Sequence, residues 1–397
     1  MRVERTSIRP CLLCGSASTV GLLEIEQIPV HCNLLWSTRQ QARRVPRGDL
    51  RLVLCKECGH LFNASFRPEL MEYGEAYENT LHYSPRFQRY ARSLADHLVV
   101  RYDLRGKDIV EIGCGSGEFL ELLCELGGNR GVGIDPSHGR GEKVESSTER
   151  ITFIPEFFGE QHATLPADLI CCRQVLEHLR DPIDLLRMLR RAIGDRRDTV
   201  VFFEVPNALA TFRDLGIWDL IYEHCSYFTP SSLRRAFASC GFEVRDLSER
   251  YADQFLTVEV LPGEDTDLTP GPMEDDPGRV AEYAATFRER YLAKMEAWRR
   301  HLDGLAGAER RVVVWGGGSK GVTFLNTLGD VNHIEFVVDI NPRKQDMYVA
   351  GTGQRIVRPE FLLGYRPDVV IVVNPVYERE IQKAMKSLGL VTDLLIA

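Results

Sequence analysis

Apolar positions along this chain follow two rhythms, short unbroken runs and longer stretches with a period of three to four residues, and the two alternate. Apolar runs at residues 109–112, 131–134, 151–154, 168–172 and 199–204 read as buried strands. Residues 118–126, with Phe119, Leu120, Leu122, Leu123 and Leu126 apolar, and residues 181–193 read as amphipathic helices between them. This alternation predicts a parallel sheet covered on both faces. A helix is expected over residues 85–102, with Ser84 as its cap, Pro85 in its first turn, and Phe87, Tyr90, Leu94, Leu98 and Val99 along one side. Residues 263–278, rich in Pro, Gly, Asp and Glu, read as a linker, followed by a long helix over 279–305 with Tyr283, Phe287, Tyr291 and Met295 at four-residue steps. Strands are then expected at 311–315, 335–339 and 369–373, and strand-like patches occur earlier at 30–35 and 49–54.

The first strong run ends in Glu111-Ile112-Gly113-Cys114-Gly115-Ser116-Gly117 and passes straight into a helix. Glycines there let the backbone approach a nucleotide-sized ligand, because no Cβ intervenes. The next strand ends in Asp135-Pro136, about twenty residues on, where a carboxylate can take both ribose hydroxyls. The G-x-G-x-G spacing, with Glu118 where a third dinucleotide glycine would fall, favours S-adenosylmethionine over a dinucleotide. Glu111, Gly113, Gly115, Gly117, Asp135 and Pro136 are the candidate donor-binding residues, with Arg173 and Gln174 after the fourth strand.

Composition adds a metal and removes some partners. Cys11-Leu12-Leu13-Cys14-Gly15 and Cys55-Lys56-Glu57-Cys58-Gly59 are matching C-x-x-C knuckles, and Cys11, Cys14, Cys55 and Cys58 together suit a closed, structural zinc. On this reading the module supplies folding free energy and a surface, with no chemistry of its own. The net charge of -8 argues against general nucleic-acid binding. No apolar run is long enough to span a bilayer, and the polar first ten residues do not read as a secretory signal, so reduced thiols in the cytoplasm are expected.

Ligands of such sheets bind beyond the carboxyl ends of the strands. There the sequence places His178 and, further on, Ile221-Tyr222-Glu223-His224-Cys225-Ser226-Tyr227-Phe228. His224 is a candidate base with Glu223 as its orienter, His178 a second proton-handling group, and Tyr222 or Tyr227 an oxyanion ligand. The polar-aromatic stretch Tyr73, Tyr77, Asn79, His82, Tyr83 and Ser84 reads either as a lid or as inter-domain packing. A second glycine turn, Gly316-Gly317-Gly318-Ser319-Lys320-Gly321, does fit G-x-G-x-x-G. It leaves open a dinucleotide enzyme, a phosphate-binding role for Lys320, Lys344, Tyr348 and Tyr377, or packing alone.

Taken together, the four-cysteine module, the first glycine turn, the Glu223-His224 segment and the second glycine turn resemble the sugar C-methyltransferase family over nearly the full length. Ile221 and Tyr222 stand where that family commonly has Tyr-His, so the resemblance carries donor and architecture further than the sugar. It implies an α/β fold: a class I methyltransferase Rossmann-like core with an N-terminal four-cysteine zinc module and a second C-terminal Rossmann-like domain. The implied divisions are residues 1–70 (zinc module), 71–105 (helical bridge or lid), 106–262 (methyltransferase), 263–308 (linker and long helix) and 309–397 (acceptor-binding domain). It implies S-adenosylmethionine as donor, and as acceptor a small molecule such as a nucleoside-diphosphate keto-deoxysugar, methylated through an enolate formed by His224. O- or N-methylation of another small molecule is the competing reading, and a monomer and a homodimer are both compatible with the sequence.

Overall fold

A computed structural model describes residues 9–71, 77–138, 150–263, 277–329 and 331–397. Tyr73 and most of the expected linker lie outside the described residues. No helix among the described residues is long and apolar enough to cross a membrane.

Three sheets form. The central one has seven strands, in the spatial order Phe242–Arg250, Phe255–Pro262, Val200–Pro206, Leu169–Arg173, Asp108–Ile112, Arg130–Ile134, Ile151–Ile154. The five strands from Val200–Pro206 to the far edge are parallel. The other two form an antiparallel hairpin joined antiparallel to Val200–Pro206. The sheet is therefore mixed, which corrects the expectation of a parallel one. The hairpin was not legible because Phe242–Arg250 carries charge at Glu243, Arg245, Asp246, Glu249 and Arg250. Its turn places Tyr251, Ala252 and Asp253 at positive φ with no glycine to announce it.

The C-terminal sheet is parallel, in the order Arg355–Val357, Phe336–Val338, Val312–Trp315, Val369–Val372, Asp393–Ile396. The N-terminal sheet is antiparallel: Thr19–Pro29 pairs with Arg47–Cys55, which pairs with Leu61–Asn63. The strand Thr19–Pro29 was not anticipated, since its Glu24, Glu26 and Gln27 blur the alternation. The expected patch at 30–35 makes one isolated bridge, Leu34 to Tyr77, and Trp36 just beyond it bridges to Tyr348.

A fourth strand closes the N-terminal sheet, and it comes from the middle of the chain. Ser226–Tyr227 pairs antiparallel with Leu61 and Phe62. One apolar core then runs through Leu52 and Leu61 of this sheet, Trp218 and Tyr222 of the 217–228 segment, Phe287 and Met295 of the helix Pro277–Gly307, and Val314 and Phe324 of the C-terminal unit. The N-terminal module is packed into the body of the protein and is not a detached ribbon.

Beneath the strand tips lies a buried polar knot. Glu204 Oε1 accepts from Arg173 Nε at 3.2 Å and Nη2 at 3.0 Å, and from Gln174 Nε2 at 3.2 Å; its Oε2 accepts from the Tyr90 hydroxyl. Arg173 also lies 4.1 Å over the Phe119 ring. Replacing Glu204 with alanine leaves a buried guanidinium without its counter-charge and should cost about 3–5 kcal/mol in urea unfolding; a loss below about 1 kcal/mol would contradict the pairing described here.

Candidate active site

The first glycine turn sits at the tip of Asp108–Ile112, before the helix Glu118–Gly127. Its glycines do different work. All three have positive φ. A Cβ on Gly113 would meet Val175 Cγ2 at 2.2 Å and one on Gly117 the Phe153 ring at 2.5 Å, whereas one on Gly115 would meet nothing within 4 Å. Gly113 and Gly117 are set by packing, and Gly115 alone faces open space, as a ligand cradle requires. The Gly115 N–H donates to Asp135 Oδ2 at 2.9 Å, and the Ser137 N–H to Asp135 Oδ1 at 2.7 Å, so the carboxylate at the next strand tip is fixed. Pro136, half-buried, follows it. His138 Nδ1 is 2.7 Å from the Gly115 carbonyl, and its ring stacks on Phe153. Glu111 is buried, one of its oxygens has no hydrogen-bond partner, and burial pushes its pKa up to about 8. An orphaned carboxyl, an open backbone cradle and a fixed strand-tip acid fit the amino-acid and ribose ends of S-adenosylmethionine.

Arg173 is a correction: its guanidinium is spent on Glu204 inside the protein. Gln174, held at φ +56° by its N–H to the Glu204 carbonyl, instead lines a cavity of ≈ 250 Å³. The bridge touches both places. Thr80 donates to Glu118 at the start of the donor helix, while Tyr77, Asn79 and Tyr83 line the cavity.

Glu177, His178, Glu223 and His224 line the same cavity, facing Gly316, Ser319, Lys320, Asp339 and Lys344 of the C-terminal unit. His224 is 8% exposed. A ring N–H hydrogen-bonds the Asp219 carbonyl, and burial first, then the positive charges of His178 and Lys320, hold its pKa well below 6.5. It is a neutral imidazole at physiological pH. His178 Nδ1 is 3.0 Å from the Glu223 carbonyl, and its ring meets that of His224 edge-on at 5.0 Å. Burial lowers its pKa too.

Glu223 does not orient His224, contrary to expectation. The two follow one another in a turn and both line the cavity, but no hydrogen bond joins them among the described residues. The Glu223 carboxylate turns to His31, with Nδ1 3.4 Å from Oε1, and leaves its buried Oε2 without a partner. Tyr222 is a second correction. It is buried, its hydroxyl accepts from the Arg67 N–H at 2.9 Å, and its ring packs where a Cβ on Gly48 would come within 2.3 Å. The Tyr227 hydroxyl likewise donates to the Ile221 carbonyl at 2.9 Å. Neither tyrosine lines the cavity.

The residues missed in the sequence are His31, Asn33 and Asp219. Asn33 lines the cavity and accepts from Lys344 Nζ at 3.4 Å, and Asp219 pairs with Lys320. The signal available was a polar pair, His31 and Asn33, inside an otherwise apolar patch. The N-terminal module thus reaches the cleft and contributes side chains to it as well as a folding unit. Tyr348 is bridged to Trp36 and Arg355 and does not line this cavity.

At the far end of that module the four knuckle sulfurs converge. Cys11 and Cys58 Sγ are 3.5 Å apart and Cys14 and Cys55 Sγ 3.6 Å, with all four inside 4.8 Å. These spacings are near the roughly 3.8 Å edge of a tetrahedral zinc–thiolate site. His60 is not among them; its ring packs against Phe62 and Phe228.

Comparison with known proteins gives the site its context. Residues 86–247 match the family described as a methyltransferase domain, and residues 276–391 match a C-methyltransferase C-terminal domain. Together with the relative below, these matches support an S-adenosylmethionine-dependent methyltransferase. It is 25% identical over 403 residues to the C-methyltransferase NovU of Streptomyces niveus, covering 94% of this chain and 92% of that one. It is 27% identical over 164 residues to the ubiquinone biosynthesis O-methyltransferase of Aeromonas salmonicida (strain A449), covering 36% of this chain and 66% of the relative. Among solved structures, magnesium protoporphyrin IX methyltransferase from Synechocystis PCC 6803 with bound SAH overlaps 45% of this chain and 84% of its own, at 17% identity and a TM-score of 0.34. In this methyltransferase, replacing Asp135 with asparagine should weaken donor binding at least about tenfold by calorimetry, the loss of one charge-assisted hydrogen-bonding group. Unchanged affinity would remove Asp135 from the donor site.

Proposed function

We propose that this methyltransferase places a methyl group on a carbon beside a ketone, on a small acceptor such as a nucleoside-diphosphate deoxysugar. One observation carries the reading: a neutral imidazole, His224, is buried in the cleft between the end of the fourth strand, where Gln174 sits, and the C-terminal unit. O- and N-methylation use a lone pair already present, but a carbon acceptor needs a proton removed first, and an uncharged imidazole can remove it. The match to a C-methyltransferase C-terminal domain and the likeness to NovU support the same choice.

Bound S-adenosylmethionine supplies an electrophilic methyl group on sulfur. The chain does the rest. Gly115 and Asp135 would hold the nucleoside end of the donor, and Glu111 would serve its amino-acid end. His224 takes the proton from the acceptor carbon, its ring fixed through the Asp219 carbonyl. Glu223 Oε2, aimed by His31, is available to an acceptor hydroxyl. With Tyr222 and Tyr227 turned inward, the developing oxyanion falls to the bridge tyrosines Tyr77 and Tyr83. Lys344, with Lys320 held in its pair with Asp219, lies on the C-terminal wall where an acceptor diphosphate would be met. The four thiolates would hold a structural zinc, which would fix the module that delivers His31 and Asn33.

Replacing His224 with asparagine should leave donor affinity intact and lower turnover by roughly 10²–10⁴-fold. Product fragmentation should place the new methyl on carbon. Near-normal turnover, or a methyl on oxygen, would overturn the reading. The acid limb of the wild-type rate should fall below pH 6.5, because burial depresses the His224 pKa. The sign for stability is the same: the unfolded chain binds the proton first, so stability is full above the ordinary histidine value and declines as pH falls below it. Metal analysis of the purified protein should find one zinc per chain, lost when Cys55 and Cys58 are replaced by serine. Full zinc content in that variant would contradict the assignment.

A further inference from the structure

Glu177 is the group that the mechanism leaves unused. It is 1% exposed, lies on the cleft floor, and neither carboxylate oxygen has a hydrogen-bond partner. A buried carboxylate in that state costs several kcal/mol, on the order of the penalty for an unsatisfied charged group. The imidazole of His178 lies close by, its Nε2 3.9 Å from Oε1, beyond a hydrogen bond. His224 is the third member: one donor atom from each of Glu177, His178 and His224 lies within 4.8 Å of the others.

Both imidazoles are oriented for ligation. His178 points Nδ1 at the Glu223 carbonyl, and His224 uses a ring N–H on the Asp219 carbonyl. A main-chain carbonyl behind each ring fixes the tautomer and turns the other nitrogen's lone pair inward, the arrangement usual behind metal-bound histidines. Two imidazoles and one carboxylate form a nitrogen–oxygen set of the kind that takes first-row transition ions, with a further position open toward the cleft. Donor separations of about 3.4 Å in a tetrahedral site require the three side chains to draw in by roughly an ångström. The ion would also supply Glu177 with the counter-charge it lacks.

We propose that Glu177, His178 and His224 form a second metal site, distinct from the four-cysteine cluster, that captures a divalent transition ion and silences the enzyme by taking the His224 lone pair. Capture stands on the donor geometry alone; silencing rests on His224 being the base. Cobalt(II) titrated into full-length protein already carrying zinc on its cysteines tests both halves. Capture predicts visible d–d bands of low-coordinate cobalt without the intense near-ultraviolet bands of thiolate ligation. Those bands should be lost in Glu177→Gln, and independently in His178→Asn should the first variant fold poorly. Silencing predicts that activity falls in step with the bands, returns when a weak chelator removes the cobalt, and is at least about tenfold less sensitive to cobalt in Glu177→Gln. Thiolate bands alone, or no bands, would overturn the site. Nitrogen–oxygen bands with undiminished activity would overturn the silencing. Loss of turnover in metal-free His224→Asn is a separate measurement, so failure of the metal site and failure of the base assignment give different results.

Discussion

The arrangement depends on a two-residue strand. Ser226 and Tyr227 pair with Phe62 and Leu61, so the segment carrying Glu223 and His224 is an edge of the N-terminal sheet as well as a loop of the methyltransferase sheet. Neighbouring bonds tighten the seam: the Asn63 N–H donates to the Cys225 carbonyl, the Cys225 N–H to the Glu177 carbonyl, and the Arg67 N–H to the Tyr222 hydroxyl. A loop at a strand end is ordinarily free to move. Here it is clamped between two sheets, and the histidine it carries is held on a cleft whose third wall belongs to the C-terminal unit. The proposed zinc, at the other end of the strand Arg47–Cys55, stabilises the sheet that does the clamping.

A second constraint is electrostatic. Glu111, Glu177 and Glu223 are all buried, and each has at least one oxygen without a partner. Native proteins satisfy most such groups, so two on the cleft and one at the donor turn mark places where stability is given up for binding. The fully paired knot of Glu204, Arg173, Tyr90 and Gln174 lies next to them and keeps the strand tips rigid. The contrast separates residues that hold the scaffold from residues that wait for a ligand. It is also why Arg173, a reasonable donor ligand on position alone, belongs to the first group.

Much of this was legible in the sequence because the relevant signals are local. The first glycine turn, its helix and Asp135 lie within thirty residues and follow strand and helix periods without interruption. The two knuckles carry their own spacing. What was not legible depends on contacts between distant residues. His31 and Glu223 are 192 positions apart, and nothing in the intervening chain announces that they meet. Tyr222 and Glu223 looked alike as flankers of His224, yet one points into the core against Gly48 and the other toward the cleft, a difference set by a single turn. The hairpin of residues 242–262 was hidden by its charged edge strand and by a turn built without glycine.

The central claim is that the cleft on which the three sheets converge removes a proton from carbon before any methyl moves. Hydrogen exchange isolates that step. A keto-deoxysugar nucleotide is incubated with the protein in deuterated water, with S-adenosylhomocysteine in place of the donor, and followed by NMR. The account predicts that one hydrogen beside the ketone exchanges in the presence of wild-type protein and stays in place with His224→Asn. If an acceptor that is methylated on carbon under turnover conditions shows no exchange with wild-type protein, or exchanges equally with both proteins, the claim is contradicted.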